Sequence, residues 1–360
     1  QVINFSMRKI LPNNKITLVL LAFAMQVATT LHAQDQHFSQ FYNAPLIVNP
    51  ALTGVFDGKF RLSNLYRSQW SGLGEGYKTI HVSADAPLGK GTMGSNFFGI
   101  GMVVSQDKAG EAGFKSTIVE GSLSYTAGLS DQGDQFFTVG FQAGLNQQSL
   151  DLSKATWDEQ WNGDSYDPTI MSGENIQLET FSYLDFNAGV NYYYVPDGTN
   201  FFSIGASMAH VGSPNVSFFL KQDAPLNSKI TVHSSAELSL DKEGYMWILP
   251  KAIYMTQGPQ QELMFGGLFK NKIQFKSRYT NYQKEAFFYL GGFYRWNDAV
   301  AINARFEYNS FGLGITYDNN VSSLSNSAAS TSAIEFNFSY VTQIKRGQHA
   351  RHYNRMPKFF

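Results

Sequence analysis

The chain carries few side chains arranged for catalysis. Its 360 residues include no cysteine, which excludes a thiolate nucleophile, a disulfide and a cysteine-bound metal within them. They also lack a G-x-S-x-G motif, the turn that presents the serine of α/β hydrolases. His81, His233 and Ser235 have suitable chemistry, but no spacing links a base to a nucleophile. We therefore predict a protein that is not an enzyme and uses no cofactor.

Two further motifs match binding sites only in part. Residues 89–94 read Gly-Lys-Gly-Thr-Met-Gly, the string of a phosphate-binding loop, but no helical pattern follows, which favours a strand connection. The acidic loop 158–167 begins like an EF-hand, yet Thr169 stands where a bidentate Glu is needed. A solvated loop is the preferred interpretation, and a weak calcium site the alternative. His349 and His352 lack carboxylate neighbours and are a poor metal site.

Charged residues inside strand-like segments are more informative. Five of them fall on the polar face by parity: Glu120, Glu237, Arg305, Glu307 and Glu335. An unpaired charge in a narrow interior is costly, so we expect arginine–carboxylate pairing across a lumen. A permeation path lined by these charges is the alternative.

The elements that position these residues are strands with two different faces. Residues 311–317 read Phe-Gly-Leu-Gly-Ile-Thr-Tyr, and residues 334–340 repeat the alternation. Soluble sandwiches carry Lys and Glu on the outer face, whereas here the polar face is mostly Gly, Ser, Thr and Asn. The other face is rich in Phe and Tyr. This pattern is typical of a barrel wall with lipid outside and a polar lumen inside.

The composition supports a membrane barrel. Charged residues make up 15% of the chain, aromatic residues also make up 15%, and there are 32 glycines. Beyond the N-terminus no run of 18 apolar residues exists, which argues against spanning helices. The net charge of -1 gives no basic field for nucleic acid.

Alternation and turn residues predict an all-β fold, a transmembrane outer-membrane barrel of about 14 antiparallel strands over 59–344. The predicted spans are 59–70, 77–86, 96–105, 116–128, 135–147, 181–195, 200–210, 228–240, 245–256, 260–270, 286–296, 298–308, 310–318 and 333–344. The weakest predictions are the ninth span, which contains Pro250, and the stretch 271–285. Trp70, Trp247 and Trp296 lie near strand ends, which predicts interfacial belts.

Three segments lie outside this wall. Residues 7–33 read as a secretory signal peptide cleaved near Ala33, with 1–6 as a start-site artefact. Export and lipid-facing strands together predict the outer membrane of a Gram-negative bacterium. Residues 34–58, with Asn49, Pro50 and Ala51, are too irregular for a strand and are predicted to form a small plug. Residues 345–360 are predicted to form a basic periplasmic tail.

Loop lengths suggest the orientation. With a periplasmic N-terminus, the long connections 149–180, 211–227 and 319–332 face outward, the usual asymmetry of such barrels. The connection 271–285 is long on the inner side and basic. Candidate periplasmic contacts in this connection and the tail are Lys272, Lys276, Arg278, Arg351, Arg355 and Lys358. A solvated turn and a plain basic tail are the alternatives.

Several motifs resemble one family in their order along the chain. They are residues 34–43 (Gln-Asp-Gln-His-Phe-Ser-Gln-Phe-Tyr-Asn), 49–54 (Asn-Pro-Ala-Leu-Thr-Gly), Tyr66-Arg67 with Trp70, 85–88 (Asp-Ala-Pro-Leu), 210–215 (His-Val-Gly-Ser-Pro-Asn), 294–298 (Tyr-Arg-Trp-Asn-Asp), 314–318 (Gly-Ile-Thr-Tyr-Asp), Leu324, and 333–335 (Ala-Ile-Glu). With these motifs the chain resembles the PorP/SprF family of Bacteroidota, outer-membrane proteins of the type IX secretion system and gliding machinery. Met356 stands where family members often carry Cys, which leaves a lipid or thiol role of the tail unsupported.

The resemblance implies a protein that binds partners rather than an enzyme. It implies contacts with periplasmic ring lipoproteins or a peptidoglycan-linked lipoprotein, with outer-membrane lipid around the barrel, and support for the export of surface adhesins. The Asn-Pro-Ala element at 49–51 also resembles the FadL-type fatty-acid channels, which are 14-stranded barrels with an N-terminal plug. A channel for hydrophobic small molecules is therefore the alternative function.

Overall fold

A computed structural model describes residues 35–70, 76–90, 92–93, 95–110, 113–155, 157–167, 169–171, 173, 178–197, 199–219, 223–275, 284–321 and 332–342. Its strands are β1 Arg61–Gln69, β2 Tyr77–Leu88, β3 Phe97–Ala109, β4 Phe114–Gly128, β5 Gln135–Ser149, β6 Thr180–Tyr194, β7 Phe201–Ala209, β8 Lys229–Ser239, β9 Met246–Gln257, β10 Gln260–Gln274, β11 Ala286–Arg295, β12 Ala299–Tyr308, β13 Phe311–Asn320 and β14 Ala333–Val341. Each pairs antiparallel with its neighbours in the chain, and β1 pairs with β14. The predicted closed barrel of 14 antiparallel strands is confirmed.

Each predicted strand has its counterpart in the barrel, but several ends differ. β3 continues past residue 105 to Ala109, because its polar residues 106–108 pair with β4 although they break the apolar alternation. β10 runs to Gln274 through a register shift after Lys272, so the connection predicted to start at 271 starts at 275. β14 ends at Val341 rather than at 344.

Pro250 lies inside β9, as predicted. It faces Gly267 of β10, whereas on the other side the ladder with β8 pairs Ser235 with Lys251 and resumes only at Leu238 and Ile248. The unpaired stretch of β9 contains Pro250, which has no backbone N–H to donate to a ladder. The strand tolerates the proline by losing part of one ladder.

The two faces of the wall follow the period of two. In β13 the outward residues Phe311, Leu313, Ile315 and Tyr317 are exposed, and the residues between them are buried. The inward face is mostly polar on β1–β6, whereas on β9–β11 it carries a larger group of buried apolar residues: Leu249, Ile253, Met264, Leu268 and Phe293. Among the described residues no helix has the length and apolar character to cross a bilayer.

At two places in the wall, inward-facing glycines lie close to the backbone of the paired strand. A Cβ on Gly144 of β5 would lie 2.1 Å from the carbonyl oxygen of Val119 in the next strand. On the far side of the barrel, a Cβ on Gly266 or Gly291 would lie 2.2 and 2.1 Å from carbonyl oxygens of the paired strand. A side chain at these positions has no room, so glycine permits the close approach of the paired backbones.

The segment Gln36–Gly58, which we call the plug, occupies the lumen. It contains short helical turns at Phe41–Asn43, Pro45–Val48 and Pro50–Leu52. It runs from the end of the barrel that carries the connections 150–179, 210–228 and 321–332, the long-loop end, to the opposite, short-turn end. Its apolar residues Phe41, Tyr42, Val48 and Leu52 form one core with inward residues of the wall.

Candidate functional site

Glycines of the wall give the plug its close fit. The Asn-Pro-Ala element lies against Gly140 of β5 and Gly189 of β6. A Cβ on Gly140 would lie 2.2 Å from the backbone nitrogen of Ala51, and one on Gly189 would lie 2.0 Å from Oδ1 of Asn49. Because these two positions have no side chain, the plug can lie directly against the backbone of the two strands.

Asn49 ties the plug to three strands with one amide. Its Nδ2 lies 3.0 Å from the carbonyl oxygen of Val190, 3.3 Å from that of Ala206 and 3.0 Å from Nε2 of His233. Its Oδ1 accepts a bond from the backbone N–H of Ala51 at 2.9 Å. His233 is thus a structural partner of the plug, and the residues predicted for the plug, Asn49 to Ala51, are fully buried.

A bidentate ion pair holds the plug at the short-turn end, and we call it the lower clamp. Arg61 of β1 donates from Nε and Nη2 to the two carboxylate oxygens of Asp85 in β2, each at 2.7 Å. The same guanidinium donates to the carbonyl oxygen of Leu52, and Asp85 accepts the backbone N–H of Gly54 at 2.7 Å. Both charged side chains are about 1% exposed. The ion pair therefore provides hydrogen-bond partners for two backbone groups of the plug.

A larger network holds the plug toward the long-loop end, and we call it the upper clamp. Glu335 of β14 accepts the backbone N–H groups of Ser39 and Gln40, at 2.7 and 2.8 Å, and contacts Nη1 of Arg67. Asp318 accepts from the Ser39 hydroxyl at 2.5 Å and lies 3.2 Å from both Arg67 and Arg295. Two carboxylates and two guanidinium groups thus surround one turn of the plug.

The charges predicted to face the lumen all lie on inward positions, but they pair differently from one another. Arg305 contacts Glu307 on its own strand at 2.9 Å and donates to Asn43 of the plug at 3.1 Å. Glu237 pairs with Lys270, a cation that the sequence reasoning missed, at 2.7 Å. Glu120 accepts from the amide of Asn187 at 3.2 Å, and among the described residues it forms no ion pair.

Parity could have found some of the missed residues. Arg61 and Arg67 share the face of Ser63, and Asp85 and Asp318 share the faces of His81 and Thr316. Their partners could not be found in this way, because Arg67 and Glu335 are separated by 268 residues. Trp247 corrects a prediction: it faces the lumen, with its ring 4.8 Å from Nζ of Lys270, and does not belong to a lipid-facing belt.

The predicted partner-binding residues are only partly described. Lys272 lies in β10, where its ammonium group pairs with Glu285 at 2.7 Å and lies 5.1 Å from the ring of Phe275. The other five residues lie outside the described part of the chain: Lys276, Arg278, Arg351, Arg355 and Lys358.

In the acidic loop, side-chain oxygens accept hydrogen bonds from neighbouring residues of the same loop. Asp167 accepts from the hydroxyl and backbone N–H of Thr169, and these bonds hold the pKa of Asp167 below its ordinary value. Asn162 caps the backbone of Asp164 and Ser165. Within the described residues no three His, Asp or Glu side chains are grouped to hold a metal ion.

Comparison with known proteins decides the family. The family model described as type IX secretion system membrane protein PorP/SprF matches residues 30–340. The chain belongs to the PorP/SprF family. The family and the barrel fold together make it an outer-membrane protein and a component of the type IX secretion system rather than a member of a known enzyme class.

Solved structures with a similar barrel include two toluene transporters and BamA. The chain is similar to the toluene transporter TbuX of Ralstonia pickettii, at 9% identity over 84% of this chain and 94% of that one, with a TM-score of 0.46. It is similar to the P. putida toluene transporter TodX, at 10% identity over 85% and 95%, with a TM-score of 0.45. BamA from Haemophilus ducreyi, lacking POTRA domains 1-3, matches at 9% identity over 79% and 70%, with a TM-score of 0.41. No curated protein matches the chain significantly.

Proposed function

We propose that this PorP/SprF protein is a non-enzymatic, plugged scaffold that binds periplasmic ring or peptidoglycan-linked lipoproteins and supports the export of surface adhesins. The observation that supports it best is the way the plug is held. Both clamps use buried ion pairs in which plug backbone groups are bound directly. A barrel whose interior charges are used to fix its own plug has few of them available for a solute path.

The exterior of the barrel then carries the function. In this proposal the short-turn end faces the periplasm, and the connection 275–285 at that end contacts the partner together with the basic sequence 345–360, which lies outside the described residues. The long-loop end faces outward, where the connection 150–179 is the main surface. The asymmetry of connection lengths supports this orientation.

The test is a mild-detergent pull-down of the tagged protein at its native level, with mass spectrometry. We expect secretion-ring lipoproteins or a large adhesin to co-purify with the wild type, and to be lost from the variant Arg351→Glu/Arg355→Glu/Lys358→Glu. The matched control is Lys78→Glu/Lys115→Glu, which reverses exposed charges at the opposite end. Normal co-purification and secretion with the tail variant would remove the tail from the proposal.

One observation favours the second candidate, a channel for hydrophobic small molecules. The inward face of β9–β11 carries a group of apolar side chains that includes Leu249, Ile253 and Met264. These side chains belong to the same buried core as Tyr42 and Val48 of the plug, however, so the plug already covers apolar surface here. Isolation of the protein as a lone barrel that carries a stoichiometric lipid or fatty acid would favour the channel.

A further inference from the structure

One buried cation of the lumen lacks a counter-charge. Lys251 of β9 points inward and is 7% exposed. Its ammonium group lies 5.2 Å from the centre of the Tyr42 ring, and it forms no ion pair or hydrogen bond with any residue that the structure describes. Because a largely buried charge is stable only when it is paired or hydrogen-bonded, this ammonium group needs a partner.

The neighbouring carboxylates are already used. The charged residues around Lys251 are Lys270, Arg305, Glu237 and Glu307. Glu237 pairs with Lys270 at 2.7 Å, and Glu307 pairs with Arg305 and accepts the hydroxyl of Tyr289 at 2.6 Å. Three cations and two carboxylates therefore leave one positive charge, and Lys251 carries it.

A second donor lies beside this lysine. Ser235 is its cross-strand partner on β8, on the same inward face, and the Ser235 hydroxyl is buried without a hydrogen-bond partner in the described part of the barrel. Cross-strand neighbours on one face have Cβ atoms about 4.5–5.5 Å apart, so the two residues belong to the same patch of the inward face. On the other side the cross-strand partner of Lys251 is Gly266, which has no side chain to fill the space.

We propose that Lys251 and Ser235 bind a small monovalent anion of the size of chloride inside the barrel. The anion neutralises the unpaired ammonium and accepts the serine hydroxyl, while the Tyr42 ring of the plug covers the lysine. Because Leu249 and Ile253 flank the lysine and pack against the plug, the site suits a compact ion rather than one with a long apolar tail. The ion thereby supports the contact between the plug and β9.

The probe is bromide, a chloride substitute that can be located by anomalous diffraction. We expect crystals of the full mature protein grown in bromide to show an anomalous peak between Nζ of Lys251 and Oγ of Ser235, and the variant Lys251→Met to lack it. In thermal unfolding, chloride should stabilise the wild type relative to gluconate at equal ionic strength, and should not do so for Lys251→Met. The variant Lys242→Met, at an exposed turn, is the matched control and should keep the chloride effect.

A variant that retains the buried charge covers the case in which Lys251→Met does not fold. Ser235→Ala should fold and should raise the half-saturating chloride concentration about tenfold, the effect of one lost hydrogen bond to a charged group. Absence of a bromide peak at Lys251 in the wild type would overturn the proposal. So would an acyl carboxylate at that place, which would instead favour the hydrophobic channel.

Discussion

Arg61 and Asp85 connect the wall to the plug through one buried ion pair. Each group also bonds the plug backbone, at Leu52 and Gly54. A buried pair contributes little compared with apolar residues of the same size, but removing one member leaves the other charge buried alone. At the scale of the residue, the lower clamp is therefore a place where a small change has a large effect.

The substitution Asp85→Ala should lower the free energy of unfolding by about 3–5 kcal/mol, because Arg61 would stay buried without its carboxylate. Urea unfolding in detergent micelles, followed by tryptophan fluorescence, measures the change. The control Asp131→Ala removes an exposed carboxylate from a turn at the same end and should have little effect. Equal stability of the two variants would show that the clamp is not needed to hold the fold.

Lys90, at the short-turn end, should make the stability of the folded protein depend on pH. Its ammonium group donates to the carbonyl oxygen of Phe56 at 2.5 Å, and burial lowers the pKa of Lys90 to about 8 in spite of the nearby Asp57. Below pH 8 the lysine is charged in both the folded and unfolded states, and the cost of burying that charge is present in full. As the pH rises from about 8 toward the unfolded value of 10.5, the folded state loses its proton first, so stability rises.

Wild-type protein should therefore gain on the order of 1 kcal/mol of stability from this group between pH 7 and pH 9.5. The variant Lys90→Met should lose that gain, whereas Lys242→Met, at an exposed turn, should keep it. Thermal melts of the three proteins across the pH range provide the measurement. Parallel stability curves for wild type and Lys90→Met would contradict the assignment.

Strands and plug differ in how far the sequence predicts them. The period of two and the turn residues locate every strand, because alternation is a local property that lipid outside and a lumen inside both impose. Register and partners depend on residues far apart in the chain, as with Arg67 and Glu335. The path of the plug depends on glycines such as Gly140 and Gly189, which leave room for its backbone. That room becomes apparent only when the strands are assembled into the barrel.

At the scale of the element, Gly140→Ala should push the plug away from β5. The added methyl would lie 2.2 Å from the backbone of Ala51, an overlap that costs about 1–3 kcal/mol. The control Gly121→Ala places a methyl 4.0 Å from its nearest neighbour in the adjacent strand. Because the chain has no cysteine, Thr53→Cys can report the position of the plug.

Maleimide labelling of Thr53→Cys should be slow in the parent and in the Gly121→Ala background, since Thr53 is fully buried. It should be faster in the Gly140→Ala background. Equally slow labelling in all three backgrounds would mean that the wall adapts to the methyl and the plug stays in place.

At the scale of the whole molecule, the plug runs through the lumen from the long-loop end to the short-turn end. Two clamps and the apolar core of Phe41, Tyr42 and Val48 hold that segment at both ends and in the middle. Wall and plug should therefore act as one body in the membrane.

Deletion of residues 36–57 should convert a closed barrel into a conducting one. The wild type in planar lipid bilayers should show no steady conductance, and the deletion variant should show steps of ion current, because its inward charges would then line water. Asp85→Ala, with a weakened clamp, should show brief openings between these extremes. Steady conductance of the wild type would contradict a scaffold role and support the channel.

The upper clamp has a consequence for the order of biogenesis. Arg67 belongs to the first strand and Glu335 to the last, and these strands pair along β1 from Arg61 to Gln69. Ser39 and Gln40 precede both in the chain, yet they bind the carboxylate that is synthesised last. The N-terminal segment can thus reach its final place only when the seam between first and last strands has formed, so a barrel released unclosed from the insertion machinery would carry a loose N-terminus that periplasmic proteases can attack.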